Sequence, residues 1–149
     1  MEQQTDRRAA AARAIEDVRA APVQPYEEGR PALRVVNVPG RRSGEPRPFG
    51  VNVTAIDGRL YLCSAVRRRD WVRNLVAAGA CTVERDGPGG TDARYTATLV
   101  EGPEAARALA VYLPQAGYAD PELPFPVDAS EAEILPHTAS TTVFRLDPA

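Results

Sequence analysis

The sequence predicts a small, mostly antiparallel β-barrel of the α+β class with helices on its outside. Its elements follow one another as helix, three strands, helix, two strands, helix and one strand. Strands grouped in this way pair as antiparallel neighbours, whereas a parallel sheet needs a crossover between successive strands. The dipeptide 57-DG-58 between two apolar runs is typical of a tight hairpin, and 86-DGPGGTD-92 indicates a second, longer one. No GxGxxG motif is present, so a dinucleotide-binding sheet is not expected.

The composition predicts one globular domain. The chain has 149 residues, of which 44% are hydrophobic and 26% charged, and this length can bury a core without disulfides or metals. No apolar run approaches the ~20 residues of a membrane-spanning helix. The N-terminal stretch MEQQTDRRAA lacks the apolar segment of a signal peptide, so we expect a cytoplasmic protein.

The first 31 residues are predicted to precede the barrel. Residues 5–21 are rich in Ala and Arg, with Ile15 and Val18 as the only larger apolar side chains. Their propensity favours a helix that ends before Pro22, but the thin apolar stripe favours a mobile or peripheral one. Residues 22–31 contain three prolines and are predicted as a linker. The expected division is an N-terminal helix and linker over 1–31 and a barrel domain over 32–149.

The strands and the remaining helices follow from periodicity and turn residues. Trp71, Leu75 and Ala78 fall on one face of a helix over 69–80, which Gly79 is expected to stop. A helix over 103–113 is expected to break at Pro114. A Pro-rich loop over 118–130 and a helical turn over 131–135 come next. The predicted strands are residues 32–38, 49–56, 59–65, 81–85, 93–100 and 141–146.

Residue usage excludes several chemistries. All 18 basic residues are Arg, so neither a lysine Schiff base nor a P-loop lysine is available. With one His, His137, and two distant cysteines, no metal site is predicted. Cys63 and Cys81 lie in apolar strand-like runs, which favours two buried thiols.

Charge is unevenly distributed along a chain whose net charge is −2. Residues 30–73 carry ten Arg and three acidic residues, a net charge of +7, whereas residues 101–149 carry eight acidic residues and two Arg, a net charge of −6. Such segregation can create a positive field suited to a small polyanion. A pI near 5.5 argues against nucleic acid as the partner. The alternative is that the two halves neutralise each other in the fold.

The stretch 40-GRRSGEPR-47 is a candidate anion-binding loop. Glycines at both ends allow sharp turns and close approach of backbone N–H groups to a ligand. Arginine supplies forked donors that match phosphate or carboxylate, and serine adds a hydroxyl. An ordinary solvated turn explains the same spacing equally well. The side chains in question are Arg41, Arg42, Ser43 and Arg47.

A second basic cluster, 67-RRRD-70, opens the predicted helix that contains Trp71 and Asn74. Helix N-termini attract anions, so six arginines would converge if the barrel brings the two clusters together. A solvated helix start is the alternative. Trp71 is predicted either to pack in the core or to wall a planar ligand. Asn74, between apolar residues, is expected to hold the loop or to contact a ligand.

These motifs resemble the deazaflavin-dependent nitroreductase family. The pattern GR(K/R)SG followed by PR matches residues 40–47, and WxxNLxAxG matches Trp71, Asn74, Leu75, Ala77 and Gly79. The ending 142-TVFRL-146 also resembles the closing strand of the family, so the resemblance covers about residues 32–146. It implies a six-stranded, FMN-binding-like split β-barrel whose groove binds coenzyme F420. The connection 63-CSAVRRRD-70 is shorter than in nitroreductase-type members.

The resemblance also implies roles for individual residues. The glycine-arginine loop would hold the phosphate and acidic tail of the cofactor, and Trp71 would border its ring system. Tyr112 and Tyr118 loosely match a tyrosine-bearing substrate region and are the candidate catalytic residues, with His137 as a rival proton donor. The residues assigned to the cofactor are Arg41, Arg42, Ser43, Gly44, Arg47, Ser64, Arg68, Arg69, Trp71 and Asn74.

The function expected from these assignments is an F420-dependent oxidoreductase. The reduced deazaflavin would give a hydride to a small molecule with an activated C=C, imine, quinone or nitro group. One alternative keeps the barrel with FMN, or more remotely a heme, although a single His excludes bis-His ligation within one chain. Another is a non-redox carrier, isomerase or cyclase, and a purely structural protein is a further one. A homodimer is a compatible assembly, since split barrels often pair.

Overall fold

A computed structural model of the chain describes residues 2–116 and 121–149. These residues form a closed antiparallel barrel with strand order β1-β2-β3-β6-β5-β4, flanked by four helices, as predicted. The strands are β1 (Pro31–Pro39), β2 (Pro46–Ile56), β3 (Arg59–Ser64), β4 (Ala80–Val83), β5 (Ala93–Leu99) and β6 (Thr142–Pro148). The helices are α1 (Glu2–Ala20), α2 (Asp70–Ala78), α3 (Pro103–Ala116) and α4 (Glu131–Ile134).

The predicted hairpin at 57-DG-58 is confirmed. Asp57 and Gly58 both have left-handed φ values, 53° and 75°, and Ile56 pairs with Arg59 across the turn. Two consecutive left-handed residues match the right-handed twist of the flanking strands. The β1–β2 connection is shorter than expected because β2 begins at Pro46 rather than at residue 49, with Pro46 opposite Pro39. The arginine loop is therefore a tight turn at the end of a long hairpin.

Two apolar clusters lie on opposite sides of the sheet. The first fills the barrel with alternate residues from all six strands and includes Val36, Val53, Leu62 and Phe144. Val72 and Leu75 of α2 belong to it, so α2 packs across one end of the barrel. The second joins the outer face of β3 and β6 to α3 and α4 and is centred on the buried residues Tyr61, Cys63, Leu109, Leu113, Ile134 and Val143.

The C-terminal ends of α2 and α3 differ in how well the local sequence predicts them. Gly79 ends α2 with a left-handed φ of 68°, and its N–H donates to the Leu75 carbonyl, as the sequence predicts. The predicted break at Pro114 is wrong, because α3 continues through Pro114 to Ala116. A proline removes one helical hydrogen bond, and so close to the C-terminus that loss is offset by burial of Leu113.

Helix α1 is peripheral, in line with its thin apolar stripe. At residues 3 and 5–20, the side chains of α1 are exposed except for the half-buried Ile15 and Val18. Polar contacts hold its C-terminal end: Arg19 donates to both carboxylate oxygens of Glu84 at 2.9 and 2.8 Å. Arg85 donates to the carbonyls of Val18 and Ala21 at the same end of the helix, at 2.6 and 2.9 Å. Within the part of the chain that the structure describes, no helix is long and apolar enough to cross a membrane.

The linker after α1 is held to the barrel by a buried ion pair. Arg34 and Asp86 meet at 3.1 Å, with side chains 5% and 4% exposed. Tyr26 of the linker and Tyr95 of β5 both donate to Asp86, and the Arg34 guanidinium lies 4.4 Å from the centre of the Tyr26 ring. Partners on every side satisfy the buried charges, so the linker has a defined path.

Candidate functional site

The loop between β1 and β2 is closed by two backbone hydrogen bonds. Gly44 N–H donates to the Gly40 carbonyl, and Gly40 N–H donates to the Glu45 carbonyl, each at 2.8 Å. A Cβ on Gly40 would lie 2.9 Å from Ser43 Oγ and 3.1 Å from Arg47 Nε, so a side chain there would displace both. Gly44 has a left-handed φ of 73°, which other residues adopt at a cost. The two glycines thus allow a compact turn that projects its arginines.

Asn74 of α2 anchors this loop. Its Oδ1 accepts hydrogen bonds from Arg41 N at 3.1 Å and from Arg41 Nη1 at 2.9 Å. Asn74 is 7% exposed, whereas the loop residues are exposed. Asn74 was expected either to hold the loop or to contact a ligand. Its side-chain oxygen holds the loop. Asp70, one turn earlier in α2, lies 3.6 Å from Arg41 Nη2 and adds a second contact.

A cavity of about 690 Å³ lies between this loop and α2. That volume is within the range of small-molecule sites. Arg42 has no hydrogen-bond or carboxylate partner within residues 2–116 and 121–149, and Arg47 donates only to Ser43 Oγ, at 3.4 Å. Two guanidinium groups are therefore available to an anion. The residues that line the cavity are Ala11, Val38, Gly40, Arg41, Arg42, Ser43, Arg47, Pro48, Phe49, Asp70, Trp71 and Asn74.

Trp71 connects this cavity to a second, smaller one. Its ring stacks on Phe49 with centroids 5.1 Å apart and lies 6.1 Å from the Phe144 ring in the barrel. The same side chain lines a cavity of about 180 Å³ together with Ser64, Arg69 and Tyr112. Trp71 therefore packs against the core and also lines both cavities, so the two predicted alternatives are not exclusive.

Ser64 and Tyr112 face the smaller cavity with different hydrogen-bonding capacity. Ser64 Oγ donates to the Val66 carbonyl at 3.1 Å, which leaves its oxygen as an acceptor. The Tyr112 hydroxyl bonds to none of the described residues and is open to a ligand. Burial raises the pKa of Tyr112, the nearby Cys63 adds to the rise, and Arg69 opposes it. The phenol is therefore protonated across the neutral range and can donate a proton or a hydrogen bond.

The second basic cluster is largely directed at the acidic half of the chain. Arg67 donates to the Thr141 carbonyl at 2.7 Å and to Glu101 at 3.0 Å, and Arg68 pairs with Glu122 at 2.6 Å. Only Arg69 of the three lines a cavity of the site. The six arginines do not converge on one cavity. Arg67 and Arg68 are therefore neutralised by acidic residues from the stretch 101–149. The positive charges of Arg42 and Arg47 remain at the larger cavity.

Other candidates fall elsewhere. Tyr118 lies outside the described residues. His137 follows α4 and packs against Phe125, with ring centroids 5.6 Å apart. The predicted burial of both thiols is confirmed for Cys63 and Cys81. Burial raises the pKa of Cys81 to about 11 and that of Cys63 still further, so neither is a thiolate at neutral pH.

Sequence reasoning missed two walls of the larger cavity. Ala11 brings α1 to its edge, and Phe49 stacks beneath Trp71. No local signal marks Ala11, because the position of α1 depends on Arg19 and Arg85 far along the chain. An aromatic residue near the arginine loop was visible, and its pairing with Trp71 follows only from the fold.

No protein-family model and no curated protein matches the sequence significantly. Solved structures with a similar fold include a heme binding protein from Mycobacterium smegmatis, which is 18% identical with a TM-score of 0.51. This chain aligns over 78% of its own length and spans less than half, 46%, of that protein.

An F420 reductase is 19% identical with a TM-score of 0.50, over 87% of this chain and 96% of the reductase. A conserved hypothetical protein from Mycobacterium tuberculosis is 17% identical with a TM-score of 0.50, over 92% of this chain and 79% of that one. At these identities the similarity concerns the fold, which is that of the split-barrel proteins.

Proposed function

We propose that the protein is an oxidoreductase that uses coenzyme F420 to reduce an electrophilic small molecule. The observation that carries the proposal is the pair of adjoining cavities that share Trp71. One is lined by Arg42 and Arg47, which have no carboxylate partner among the described residues, and the other by a protonated phenol and a buried serine. A cofactor with an anionic tail and a planar ring system matches this division. The resemblance of the two sequence motifs and the fold of an F420 reductase support the choice of cofactor.

The donors of the larger cavity fit a phosphate-bearing tail. Arg42 and Arg47 can each form charge-assisted hydrogen bonds with phosphate oxygens, since neither guanidinium is paired with an acid in the part of the chain that the structure describes. Ser43 adds a hydroxyl, and Arg41 is held in place by Asn74. Gly44 shapes the turn that projects these side chains. Arg68, which pairs with Glu122, would contact the tail only after that pair rearranges.

The smaller cavity would receive the reacting edge of the cofactor ring and the bond of the substrate that is reduced. Trp71 offers an aromatic face for a planar ring, and Ser64 Oγ can accept a hydrogen bond there. The chemistry that a reduced deazaflavin would supply here is hydride donation to the substrate. Tyr112 would give the matching proton from its hydroxyl, and Arg69 would stabilise negative charge in the same cavity, which both residues line. The protein thus contributes position, charge and exclusion of water.

FMN is the second candidate because it also joins a planar ring to a phosphate, and the arginine loop would contact the phosphate rather than the ring.

Binding of coenzyme F420, FMN and FAD to the purified protein, measured side by side, discriminates between these cofactors. Micromolar affinity for F420 with weaker FMN binding is expected, together with oxidation of the reduced cofactor by an activated C=C in stopped flow. Absence of F420 binding in the micromolar range would end the proposal. Binding without any oxidation would favour a carrier or an isomerase.

A further inference from the structure

A third cavity, of about 500 Å³, continues the site on the side away from the arginine loop. Leu33 and Asn52 line both this cavity and the smaller one that contains Tyr112. These two residues are direct partners across the β1–β2 pair, so their side chains lie on the same face of the sheet. The three cavities therefore follow one another along the protein, with Trp71 between the first two and the Leu33–Asn52 pair between the last two.

Three amide side chains line the third cavity, and each has a donor or an acceptor group without a partner among the described residues. Gln24 Oε1 accepts from Leu33 N at 3.4 Å, which leaves the Gln24 NH₂ group as a donor. Gln115 Nε2 donates to the carbonyls of Gly29 and Val111, each at 2.8 Å, which leaves Gln115 Oε1 as an acceptor. Asn52 is half-buried, and its side-chain amide bonds to no group that the structure describes. Both its donor and its acceptor are open to a ligand.

The charge at this cavity is balanced. Glu27 and Arg30, its charged lining residues, face each other at 3.6 Å on the rim. The exposed Leu33 side chain, 44% accessible, adds apolar surface where this cavity meets the smaller one. An ionised substrate would find no unpaired charge to match. An uncharged group with an adjacent donor and acceptor would satisfy the amides and leave its carbon skeleton on Leu33.

We infer that this amide-lined cavity is the substrate site and that it takes an uncharged carboxamide, lactam or imide. Its role as a substrate site rests on the proposed function. The amide group of the substrate bonds to Asn52, Gln24 and Gln115, and its conjugated C=C extends past Leu33 toward Tyr112. Reduction then adds a hydride to the β-carbon and a proton from Tyr112 to the α-carbon. The two electrons come from the reduced deazaflavin, and the carbonyl is regenerated.

Ligand-observed NMR titration of the protein without cofactor tests the site directly. The probes are 2-piperidone, a cyclic lactam, and cyclohexanone, which has the same ring size and no N–H. The lactam should bind about tenfold more tightly, the gain expected from one or two neutral hydrogen bonds. Asn52→Leu keeps the size of the side chain and should reduce the lactam affinity about three- to tenfold, and the ketone affinity less, because the ketone has no N–H for the Asn52 oxygen. Gln24→Met removes only a donor to the carbonyl, which both probes carry, and should weaken both of them about equally.

The matched control is Gln3→Met on the exposed surface of α1, which should leave both affinities unchanged. Equal affinity for the two probes, or an unaltered lactam affinity in both Asn52→Leu and Gln24→Met, would overturn the inference. Because no cofactor is present, these outcomes do not depend on F420. Lactam selectivity without F420 binding would support the site and reject the proposed oxidoreductase, and the reverse result would reject the site alone.

Discussion

The amide oxygen of Asn74 accepts two hydrogen bonds from Arg41, one from the backbone N–H at 3.1 Å and one from the guanidinium at 2.9 Å. A single buried atom of α2 thereby fixes both the path of the β1–β2 loop and the direction of one of its arginines. The rest of the loop is largely exposed, and hydrogen bonds between its own residues close it. Its ability to hold an anion thus depends on a residue 33 positions away in the sequence.

Replacement of this residue by Asn74→Leu should loosen the loop. The change leaves the Arg41 N–H without its acceptor and should lower the free energy of unfolding by about 1–2 kcal/mol. The affinity for an anion such as inorganic phosphate should fall as well, because the loop loses its defined shape. Urea unfolding and phosphate titration, both followed by Trp71 fluorescence, measure the two effects. Gln3→Leu is the control, and equal behaviour of the two variants would contradict the role of Asn74.

Docking of α1 should depend on the ionisation of Glu84. The hydrogen bond from Arg19 is the main cause that lowers the pKa of Glu84 below its ordinary 4.5; burial opposes it and Asn37 reinforces it. A lowered folded-state pKa means that this stabilisation is complete above about pH 4.5 and is lost as the pH falls through the folded pKa. Docking of α1 is therefore expected to be constant near neutrality and to weaken in acid.

Glu84→Gln at neutral pH isolates this effect from general acid unfolding. Loss of a bidentate charged contact at this partly exposed site, about 0.5–1 kcal/mol, should accelerate amide hydrogen exchange of α1 about two- to fivefold. Barrel amides in β3 and β6 should keep their protection. Glu131→Gln, on the exposed face of α4, is the matched control. Unchanged exchange in α1 would mean that Arg85 and the apolar contacts suffice to hold the helix.

We expect Tyr112 to act as a proton donor and not merely to line the smaller cavity. Tyr112→Phe keeps the ring and should reduce kcat/KM for reduction of an activated C=C by about 10²-fold, the usual contribution of a general acid. Because burial raises the pKa of Tyr112, the unmodified protein should keep its activity to pH values above the ordinary tyrosine range, near 10. Steady-state rates across pH measure this limb. A Tyr112→Phe enzyme with an unaltered rate and pH profile would assign the proton to solvent.

Much of the fold was predictable because its signals are local. The left-handed Asp57–Gly58 pair and the αL stop at Gly79 follow from residue type alone. The continuation of α3 through Pro114 was missed because its stability depends on Leu113 in a distant cluster. In the site, the arginine loop and Asn74 were visible as motifs. The ion-pair partners of Arg67 and Arg68 could not be predicted, because Glu101 and Glu122 meet them only through tertiary contacts.

The central claim is that Arg42 and Arg47 hold the anionic tail of the cofactor. Titration of the protein with coenzyme F420, followed through the quenching of Trp71, tests it most directly when the Arg42→Ala/Arg47→Ala variant is measured beside it. Loss of two charge-assisted contacts should weaken binding about 100-fold. An Arg73→Ala/Arg94→Ala variant removes the same charge from exposed positions outside the cavity and should bind normally. Equal affinity of the two double variants would contradict the account.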